Sequence, residues 1–481
     1  MQPTLKTTPN IPAHGHDIRA VAIGLILLAG GFATPEATAD TGGPSAKQPP
    51  NFVIIVADDL GYADLGCQGS KDMPTPNIDS LAAGGVRFTN GYVSCPVCSP
   101  TRAGLQTGRY QQRYGHELNP GPPDKAEPHF GLPVGEVTLA DRLKSAGYVT
   151  GLVGKWHLGY QPQFHPLKRG YDEFFGFLAG SHDYFRNEIP TAILRGTETV
   201  KEESYLTDAL GRESAAFVER HKSKPFMLML SFNAIHTPMQ ATDKYLDRFR
   251  SIKDPLRQKT AAMLSATDDA VGVVLKAVRE AGIEDNTLIF FISDNGGPTK
   301  VNGSRNDPLR GYKGQTYEGG IRVPFLVQWK GHVPAGKVYD KPVIALDIHP
   351  TCLAASGGKY DIPVDKALDG VDLLPYLRGQ KSEAPHNTLF WRYGIQTAIR
   401  KGNYKLVKTA NEEELFDLAA DIGEERDLCD ARPEIVKELR TIFAKWETGM
   451  VPPAWERAGV GTGVQPNQEN LGKRKAVRNR Q

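Results

Sequence analysis

Carboxylate and amide side chains occur at two places where a hydrophobic run of the sequence ends. Asp58 and Asp59 directly follow the apolar segment FVIIVA, and Asp294 and Asn295 directly follow LIFFIS. Oxygen ligands of this kind suit a hard divalent cation, Ca²⁺ or Mg²⁺. Two aspartates after one strand more often form a turn or a helix cap, so the prediction of a metal site depends on the two places acting together.

Basic and imidazole side chains occur in three further segments. Lys155 and His157 lie in GKWHLG, His236 lies in SFNAIHTP, and Lys313 lies in the glycine-punctuated loop LRGYKG. Each residue alone is weak evidence, because an isolated histidine is usually structural and an isolated lysine is usually solvated. Together with the predicted metal ion and a nearby arginine, they describe a pocket for a tetrahedral oxyanion ester.

Two cysteines, Cys95 and Cys98, lie close together in SCPVCSPTRAGLQTGR. They could form a redox pair, half of a metal site or a disulfide, or one of them could be chemically changed in the working protein. Ser99 is a suitable N-cap and Pro100 a suitable first helical residue, which would place Cys98 at a helix N-terminus. With Arg102 in the first turn, that position would activate the thiol. The redox alternative leaves Arg102 and both acidic segments unexplained.

Strands must position these residues, and the hydrophobic pattern supplies them. Continuous apolar runs are typical of strands buried on both faces of a parallel sheet. Helical patterns separate the runs, which predicts an α/β fold with a large, mostly parallel sheet sandwiched by helices. In such a sheet, functional residues gather at the carboxyl ends of the strands. The predicted strands are 52–57, 149–153, 226–230, 288–292 and 324–327, and the predicted helices are 138–146, 206–221 and 259–281.

The sequence changes in character from about residue 385. Short strand segments such as TLFWRYG, YKLVK and ELFDL alternate with polar turns and precede a helix at about 433–447. This pattern predicts a catalytic domain at 50–380 and a smaller C-terminal domain of antiparallel sheet plus helix at 385–460. The basic segment 461–481 is expected to be a disordered tail.

The N-terminus has the features of an export signal. Arg19 precedes the apolar segment AVAIGLILLAGGFA, which is shorter than the roughly 20 residues that a membrane span needs. We expect a signal peptide at 1–39, cleaved near Ala39, and a periplasmic or secreted protein without stable membrane association; an N-terminal anchor is the alternative. The chain has 57 basic and 55 acidic residues, so its net charge does not favour a nucleic-acid partner.

The cysteine segment and its neighbours resemble a known family. The segment CSPTR, which begins at Cys98 and is followed by TGR, is similar to the C-x-P-x-R…TGR signature of the type I sulfatases. These are arylsulfatase-like enzymes of the alkaline phosphatase superfamily. The resemblance continues from Asp58 through GKWHLG, HTP and SDNG to Lys313, and covers about 50–380. It implies the α/β fold predicted above, with a smaller C-terminal domain.

The resemblance implies a sulfuric ester hydrolase in which a formylglycine-generating enzyme oxidises Cys98 to formylglycine, also called 3-oxoalanine. In its hydrated form that residue has two hydroxyl groups. One attacks sulfur and displaces the alcohol, and the other then expels sulfate from the sulfated enzyme. The implied ligands of one calcium ion, with Mg²⁺ less expected, are Asp58, Asp59, Cys98, Asp294 and Asn295.

The resemblance also implies roles for the basic residues. Arg102 would hold the diol and the charge on the metal side, and Lys155 and Lys313 would bind sulfate oxygens. His157 would help to deprotonate the diol for sulfate release. His236, together with Lys313, would protonate the leaving alcohol.

Substrate-binding residues are expected in two loops, at 115–123 and 164–185. These loops carry His116, His182 and Ser181, the last at a position that lies near the diol in the family. The segments GHELNPGP and LAGSHDYF are similar to those of sulfatases that act on sulfated galactose or N-acetylgalactosamine, so a sulfated carbohydrate is the expected partner. A phosphate or phosphonate monoester hydrolase of the same superfamily, and a carbohydrate-binding protein without activity, are the alternatives.

Overall fold

A computed structural model of the chain describes residues 48–186 and 192–455. The predicted signal peptide at 1–39 and the basic segment 461–481 lie outside these residues. Within the described ranges, none of the helices combines the length and the apolar character that crossing a membrane requires.

The same ranges contain sixteen strands and eleven α-helices. The strands are β1 Asn51–Ala57, β2 Val86–Phe88, β3 Gly91–Tyr92, β4 Val149–Lys155, β5 Glu173–Phe177, β6 Leu194–Arg195, β7 Glu198–Thr199, β8 Phe226–Ser231, β9 Thr287–Ser293, β10 Phe325–Gln328, β11 Lys337–Tyr339, β12 Val343–Ile344, β13 Thr388–Tyr393, β14 Gln396–Lys401, β15 Tyr404–Lys408 and β16 Glu413–Asp417. The helices are α1 Pro76–Ala83, α2 Cys98–Thr107, α3 Leu139–Ser145, α4 Leu206–His221, α5 Asp243–Leu246, α6 Pro255–Glu280, α7 Thr299–Asn302, α8 Glu318–Ile321, α9 Ile348–Ser356, α10 Leu374–Leu377 and α11 Pro433–Glu447.

The large sheet has parallel strands at its centre. Its strand order is β11-β2-β10-β9-β1-β8-β4-β5-β6-β7. Strands β9, β1, β8, β4 and β5 are parallel to one another, whereas β10 runs antiparallel to β9 and β6 antiparallel to β5. The prediction of a large, mostly parallel sheet is confirmed.

Helices cover both faces of this sheet, and the sequence of β1 shows why. Alternate residues of a strand point to opposite faces, and every residue of β1 is buried. Phe52 and Ile54 belong to a hydrophobic cluster that includes residues of α2, α3 and α9, whereas Val53 and Ile55 belong to a second cluster with α1, α4 and α6. Each such side chain contributes roughly 1.5–3 kcal/mol to folding when fully buried. A continuous apolar run is therefore what a strand in this position requires.

The four helices with a predicted range agree with it to within one residue at each end, except at the N-terminus of α6. Helices α4 and α11 occupy the predicted ranges 206–221 and 433–447. Helix α6 begins at Pro255 rather than at residue 259, because the Asp254 side chain caps it by accepting a hydrogen bond from the amide of Leu256 at 2.9 Å. Asp followed by Pro is a helix-start signal that the apolar periodicity did not include.

The C-terminal part forms a four-stranded antiparallel sheet, β13-β14-β15-β16, followed by α11. We call it the small sheet. One of its faces packs Leu389 and Trp391 into the cluster that lies on one face of the large sheet, and the other face packs Leu406 and Leu415 against Leu439 of α11. The predicted antiparallel sheet with a helix is confirmed. Where a domain boundary falls stays a prediction, because both sheets contribute to one core.

Candidate active site

Asp58 and Asp294 lie close together because their strands are neighbours. Strands β1 and β9 pair in parallel with Ala57 opposite Ser293, so the residue after each strand emerges at the same edge of the sheet. The backbone amide of Asp294 donates to the carbonyl oxygen of Ala57 at 3.0 Å, which extends the pairing beyond the strands. Both aspartates are completely buried. The fold thus brings the two acidic segments together.

Asp59 and Asn295 complete the acidic group. Asp59 lies in the left-handed region with a φ of 62°, and its amide donates to Asp294 Oδ1 at 3.3 Å. Asn295 Nδ2 donates to Asp59 Oδ1 at 2.7 Å. Gly296 permits the close approach of the next loop, because a Cβ atom there would lie 1.9 Å from the carbonyl oxygen of Gly319. Backbone turns and mutual hydrogen bonds therefore fix this group.

The donor atoms fit a hard divalent cation. Single ligand atoms of Asp58, Asp59, Cys98 and His236 all lie within 4.8 Å of one another. Asn295 Oδ1 is a buried oxygen that has no hydrogen-bond partner among the described residues. A buried polar atom of this kind is costly unless something binds it. Because carboxylate and amide oxygens are the ligands that Ca²⁺ and Mg²⁺ prefer, the residues present could hold such an ion.

Two buried cations lie against these carboxylates. Lys155 Nζ, at the end of β4, contacts Asp58 Oδ2, and Arg102 Nε, in α2, donates to Asp294 Oδ2 at 2.9 Å. Arg102 Nη2 also lies 3.6 Å from Asp58 Oδ2. Burial by itself raises the pKa of Asp58, but Lys155, His236 and Arg102 outweigh it and lower that pKa below its usual value. Asp58 is therefore held as the carboxylate that metal binding requires.

Cys98 lies at the start of α2, although its cap differs from the prediction. The helix begins at Cys98 itself, with Val97 in the N-cap position, so Ser99 and Pro100 each lie two positions further into the first turn than predicted. The Ser99 hydroxyl donates to the carbonyl oxygen of His157 at 2.6 Å instead of capping the helix. The predicted N-cap role of Ser99 is wrong, because this tertiary hydrogen bond occupies its side chain.

The Cys98 thiol lies in the middle of the charged group, and only 1% of the residue is exposed. Its Sγ lies 3.2 Å from Lys313 Nζ and 3.6 Å from Asp58 Oδ1. Burial, together with Asp294 and Asp58, raises the pKa of the thiol to about 12 against the opposing effect of the lysines. The prediction of an activated thiol is therefore wrong. All five cysteines lie in the described residues and none forms a disulfide.

Lys313 reaches the same group from a loop outside the large sheet. Its Nζ donates to Asp59 Oδ1 at 2.6 Å, and 14% of its side chain is exposed. Burial opposes the charged form, but Asp59, Cys98 and Asp58 raise the pKa of Lys313 well above its usual value. Lys313 is thus a fixed positive charge at the partly exposed side of the site.

The two histidines have different surroundings. His236 Nε2 lies 3.7 Å from Asp59 Oδ2, and its Nδ1 must donate to the carbonyl oxygen of Thr237 at 2.7 Å, since a carbonyl can only accept. His157 is buried with a φ of 58°, and its Nδ1 has no partner within the described part of the chain. Burial, helped by Lys313 for His236 and by Lys155 for His157, lowers both pKa values. Both imidazoles are therefore neutral near pH 7 in the absence of a ligand.

The three predicted substrate residues differ in their access to the site. Ser181 is partly buried and directly follows Gly180, where a Cβ atom would lie 2.5 Å from His157 Nε2. His182 is buried, with Nδ1 at 2.5 Å from the carbonyl oxygen of Asp183.

His116 has no exposed surface. Its Nε2 lies 2.6 Å from Ser99 Oγ, and its ring packs edge-on against Trp455. This placement corrects the expectation that His116 lines the site, because Ser99 and Trp455 enclose its ring. In the structure His116 supports Ser99, which in turn binds the His157 backbone.

Sequence reasoning did not identify several residues that support the site residues through hydrogen bonds. Ser231 Oγ donates to the carbonyl oxygen of Lys155 at 2.7 Å and lies 2.5 Å from Arg102 Nη1. Asn302 Nδ2 donates to the carbonyl oxygens of Asp59 at 3.1 Å and of Ile235 at 3.2 Å. Position at the end of β8 could have indicated Ser231. Asn302 has no local signal, because its partners are distant in the chain.

Comparison with known proteins identifies the class of this protein. A family model described as "Sulfatase" matches residues 50–358, and one described as "N-sulphoglucosamine sulphohydrolase, C-terminal" matches residues 312–447. The chain belongs to the sulfatase family, and it is a type I sulfatase of the alkaline phosphatase superfamily. It is thus a sulfuric ester hydrolase.

Individual relatives and a solved structure agree with this assignment. The chain is 35% identical to N-acetylgalactosamine-6-sulfatase of Sus scrofa, over 84% of this chain and 86% of that protein. It is 34% identical to arylsulfatase A of Bos taurus, over 85% of this chain and 90% of that protein. A crystal structure of Ps i-CgsB in complex with k-i-k-neocarrahexaose is 37% identical, with a TM-score of 0.81, over 89% of this chain and 98% of that one.

Proposed function

We propose that the protein removes sulfate from a sulfated carbohydrate, with galactose or N-acetylgalactosamine units as the substrate, by means of formylglycine made from Cys98 and one bound Ca²⁺. The observation that carries this proposal is the position of Cys98. It begins α2 within CSPTR and lies between a carboxylate, Asp58, and a lysine, Lys313. A buried thiol with a raised pKa is a poor nucleophile near pH 7, so unmodified Cys98 does not suit the nucleophile's task.

The calcium ion and the formylglycine residue would supply different parts of the chemistry. When present, the calcium ion supplies positive charge beside the sulfate, and hydrated formylglycine supplies one hydroxyl for attack and a second for sulfate release. The proposed metal ligands are the oxygens of Asp58, Asp59, Asp294 and Asn295, together with position 98. The unpartnered Asn295 Oδ1 and the charged state of Asp58 support this set.

The cationic residues would bind and orient the ester. Lys155 and Lys313 bring two positive charges to the sulfate oxygens, where they offset negative charge that increases in the transition state. Arg102 holds Asp294 and Asp58 in place through its guanidinium group. Because these cations are fixed before a substrate binds, little reorganisation is needed during the reaction.

The histidines would move protons at defined atoms. His236 donates through Nδ1 to the Thr237 carbonyl, so Nε2 is the atom that would first take up a proton and then pass it to the leaving alcohol. Its lowered pKa makes the protonated form a stronger acid. His157 is neutral and would accept a proton during sulfate release. Ser181 would contact the reacting group, and His182, on the same loop, would contribute to the substrate side.

The proposed substrate is inferred from related proteins. One relative is named N-acetylgalactosamine-6-sulfatase, and one related structure contains k-i-k-neocarrahexaose. Both support a sulfated sugar rather than a small aryl ester as the natural substrate. We further propose export after cleavage near Ala39, which N-terminal sequencing of the protein from its own host would test.

The test uses protein co-expressed with a formylglycine-generating enzyme. Mass spectrometry of the peptide that contains position 98 should show a loss of about 18 Da from the cysteine form. The converted enzyme should release sulfate from defined sulfated galactose or N-acetylgalactosamine oligosaccharides, and should hydrolyse an aryl sulfate much faster than an aryl phosphate. A preference for the phosphate would favour the phosphate or phosphonate monoester hydrolase, and an unmodified Cys98 in the native host would favour a binding protein.

A further inference from the structure

Lys313 lies in a loop that the small sheet holds at its beginning. We call residues 310–318 the lysine loop. At its first residue, Arg310 Nη1 donates to Glu414 Oε1 of β16 at 3.1 Å and to the carbonyl oxygen of Glu424 at 2.9 Å. The Arg310 guanidinium also lies over the ring of Tyr317, 4.0 Å from its centroid.

The small sheet also holds the last residue of the lysine loop. The backbone amide of Glu318 donates to Glu424 Oε2 at 2.7 Å. Lys405 Nζ, from β15, donates to Glu318 Oε1 and to Glu424 Oε1, both at 2.8 Å. The side chains of Lys405 and Glu318 have no exposed surface. Both ends of the loop are therefore fixed by charged groups, partly buried at Arg310 and fully buried at Glu318.

One residue of the small sheet reaches the middle of the loop. Gln396, the first residue of β14, donates through Nε2 to the carbonyl oxygen of Gly314 at 2.9 Å. Its Oε1 accepts from the amide of Thr316 at 3.3 Å. On the other side, the amide of Gly314 donates to the carbonyl oxygen of Pro96, two residues before Cys98. The residue next to Lys313 is thus held between the segment that leads into α2 and the small sheet.

The lysine loop needs such support because of its own sequence. Gly311 and Gly314, on either side of Lys313, both have positive φ values, of 88° and 85°. Glycine restricts the backbone least of all residues, so the loop does not set the position of Lys313 by itself. An amide side chain suits the task, since it supplies a donor and an acceptor to two backbone groups at once.

We propose that Gln396 is a positioning residue for Lys313, through which the small sheet sets the geometry of the sulfate-binding side of the site. The inference rests on the proposed function of Lys313 toward the sulfate ester. Gln396 does not touch the reacting atoms. It fixes Gly314 and Thr316, so that Lys313 Nζ stays within reach of Asp59 and position 98.

A double-mutant cycle tests the proposal on full-length, formylglycine-containing protein. The variants are Gln396→Leu, Lys313→Ala and the combination of both, and the measured quantity is kcat/KM for aryl sulfates whose phenols differ in pKa. Gln396→Leu should lower kcat/KM by about tenfold or more, since small displacements of a positioned group have large effects on rate. The loss should be largest for phenols of high pKa, as in Lys313→Ala. Combined with Lys313→Ala, Gln396→Leu should add less than about twofold, because both changes act through one group.

Additive losses, or an equal loss for all phenols, would show that Gln396 acts only on folding and would overturn the proposal. The exposed Gln380, changed to leucine, is the matched control and should keep wild-type kcat/KM. If Gln396→Leu does not fold, Gln396→Glu replaces it, since a carboxylate cannot donate to the Gly314 carbonyl, and the same non-additivity is expected.

Failure of the proposed function gives a different result from failure of this inference. Wild-type protein that carries formylglycine but lacks aryl sulfatase activity would contradict the proposed function. Wild-type activity in Lys313→Ala would contradict the assigned role of Lys313. Low activity of Lys313→Ala together with unchanged activity of Gln396→Leu contradicts the role of Gln396 alone, as do additive losses or an equal loss for all phenols.

Discussion

The metal-binding side of the site and the lysine loop are held in place by different kinds of structure. Asp58 and Asp294 follow two central strands that are paired in parallel and buried on both faces. Lys313 lies in a loop between two glycines, and side chains of the small sheet hold that loop. A backbone ladder fixes the first group, whereas a few side-chain hydrogen bonds fix the second.

This difference predicts which changes each side tolerates. On the metal side, the supporting strands have many partners, so the loss of one supporting side chain should leave the carboxylates in place. On the lysine side, each supporting contact is one of a few, so a single loss should be measurable in the reaction. Variants of the site residues and of the residues that support them test this contrast.

Replacement of the nucleophile should have the largest effect. Cys98→Ala removes the residue that both sides of the site contact and should lower kcat for an aryl sulfate by about 10⁵-fold or more. Cys95→Ala is the matched control, and it should keep activity within about twofold because Cys95 carries no role in the proposed mechanism. Activity of Cys98→Ala within tenfold of the wild type would contradict the proposed chemistry.

Loss of a metal ligand should have the next largest effect. Asn295→Ala removes the buried oxygen that has no hydrogen-bond partner among the described residues, and should weaken calcium binding by about 100-fold. Calcium titration of chelator-treated protein, followed by activity and by thermal stability, measures the change. Asn286→Ala, at the opposite end of β9 from Asn295, should bind calcium as the wild type does. Equal calcium affinity of both variants would exclude Asn295 as a ligand.

The buried charges of the small sheet should make stability depend on pH. Burial, with Glu318 next to it, raises the pKa of Glu424 to about 7 against the opposing effect of Lys405. The folded state therefore binds more protons than the unfolded state between about pH 4.5 and pH 7, so the free energy of unfolding should fall as the pH rises through this range. The fall should be about 2 kcal/mol larger in the wild type than in Glu424→Gln.

Denaturant unfolding of both proteins at pH 5 and pH 7.5 provides the measurement. Asp64, with a pKa raised to about 6 by burial, contributes in the same direction in both proteins and cancels in the comparison. Identical pH dependence of the two proteins would mean that Glu424 is charged throughout this range and forms an ordinary ion pair with Lys405.

Removal of the Tyr184 hydroxyl, which supports the segment around His236, should have the smallest effect. The Tyr184 hydroxyl lies 2.9 Å from the carbonyl oxygen of Asn233 and 2.8 Å from that of His236. Tyr184→Phe should lower kcat/KM for substrates with poor leaving groups by about tenfold or less. Tyr205→Phe removes a similar hydrogen bond, to the Gln240 carbonyl, and should have little effect on these substrates. Equal losses in both variants would show a general packing defect.

Much of the fold and of the site could be predicted because the signals are local. The run FVIIVA indicates a doubly buried strand, and Asp58 follows it directly, so strand end and candidate ligand are visible together. The same holds for Lys155 at the end of β4 and Asp294 after β9. The apolar pattern places the start of α6 at residue 259 rather than at Pro255, because the Asp254 cap lies outside that pattern.

Other features could not be predicted because they depend on distant groups. Ser99 has the chemistry of an N-cap, but the carbonyl of His157 competes for its hydroxyl. Cys98 has the position of an activated thiol, but burial raises its pKa. His116 lies in a loop with the composition of a binding loop, yet its ring is enclosed by Ser99 and Trp455.

The amino-acid sequence by itself determined the α/β class, the small antiparallel sheet, and the residue types at the ends of the strands. Periodicity and short motifs carry this information, and they depend only on neighbours in the chain. The tertiary structure alone decided which side chains support the site. Gln396 and Gly314 are separated by 82 positions in the sequence. Their hydrogen bond exists only because the small sheet packs against the lysine loop, and no local pattern records such a contact.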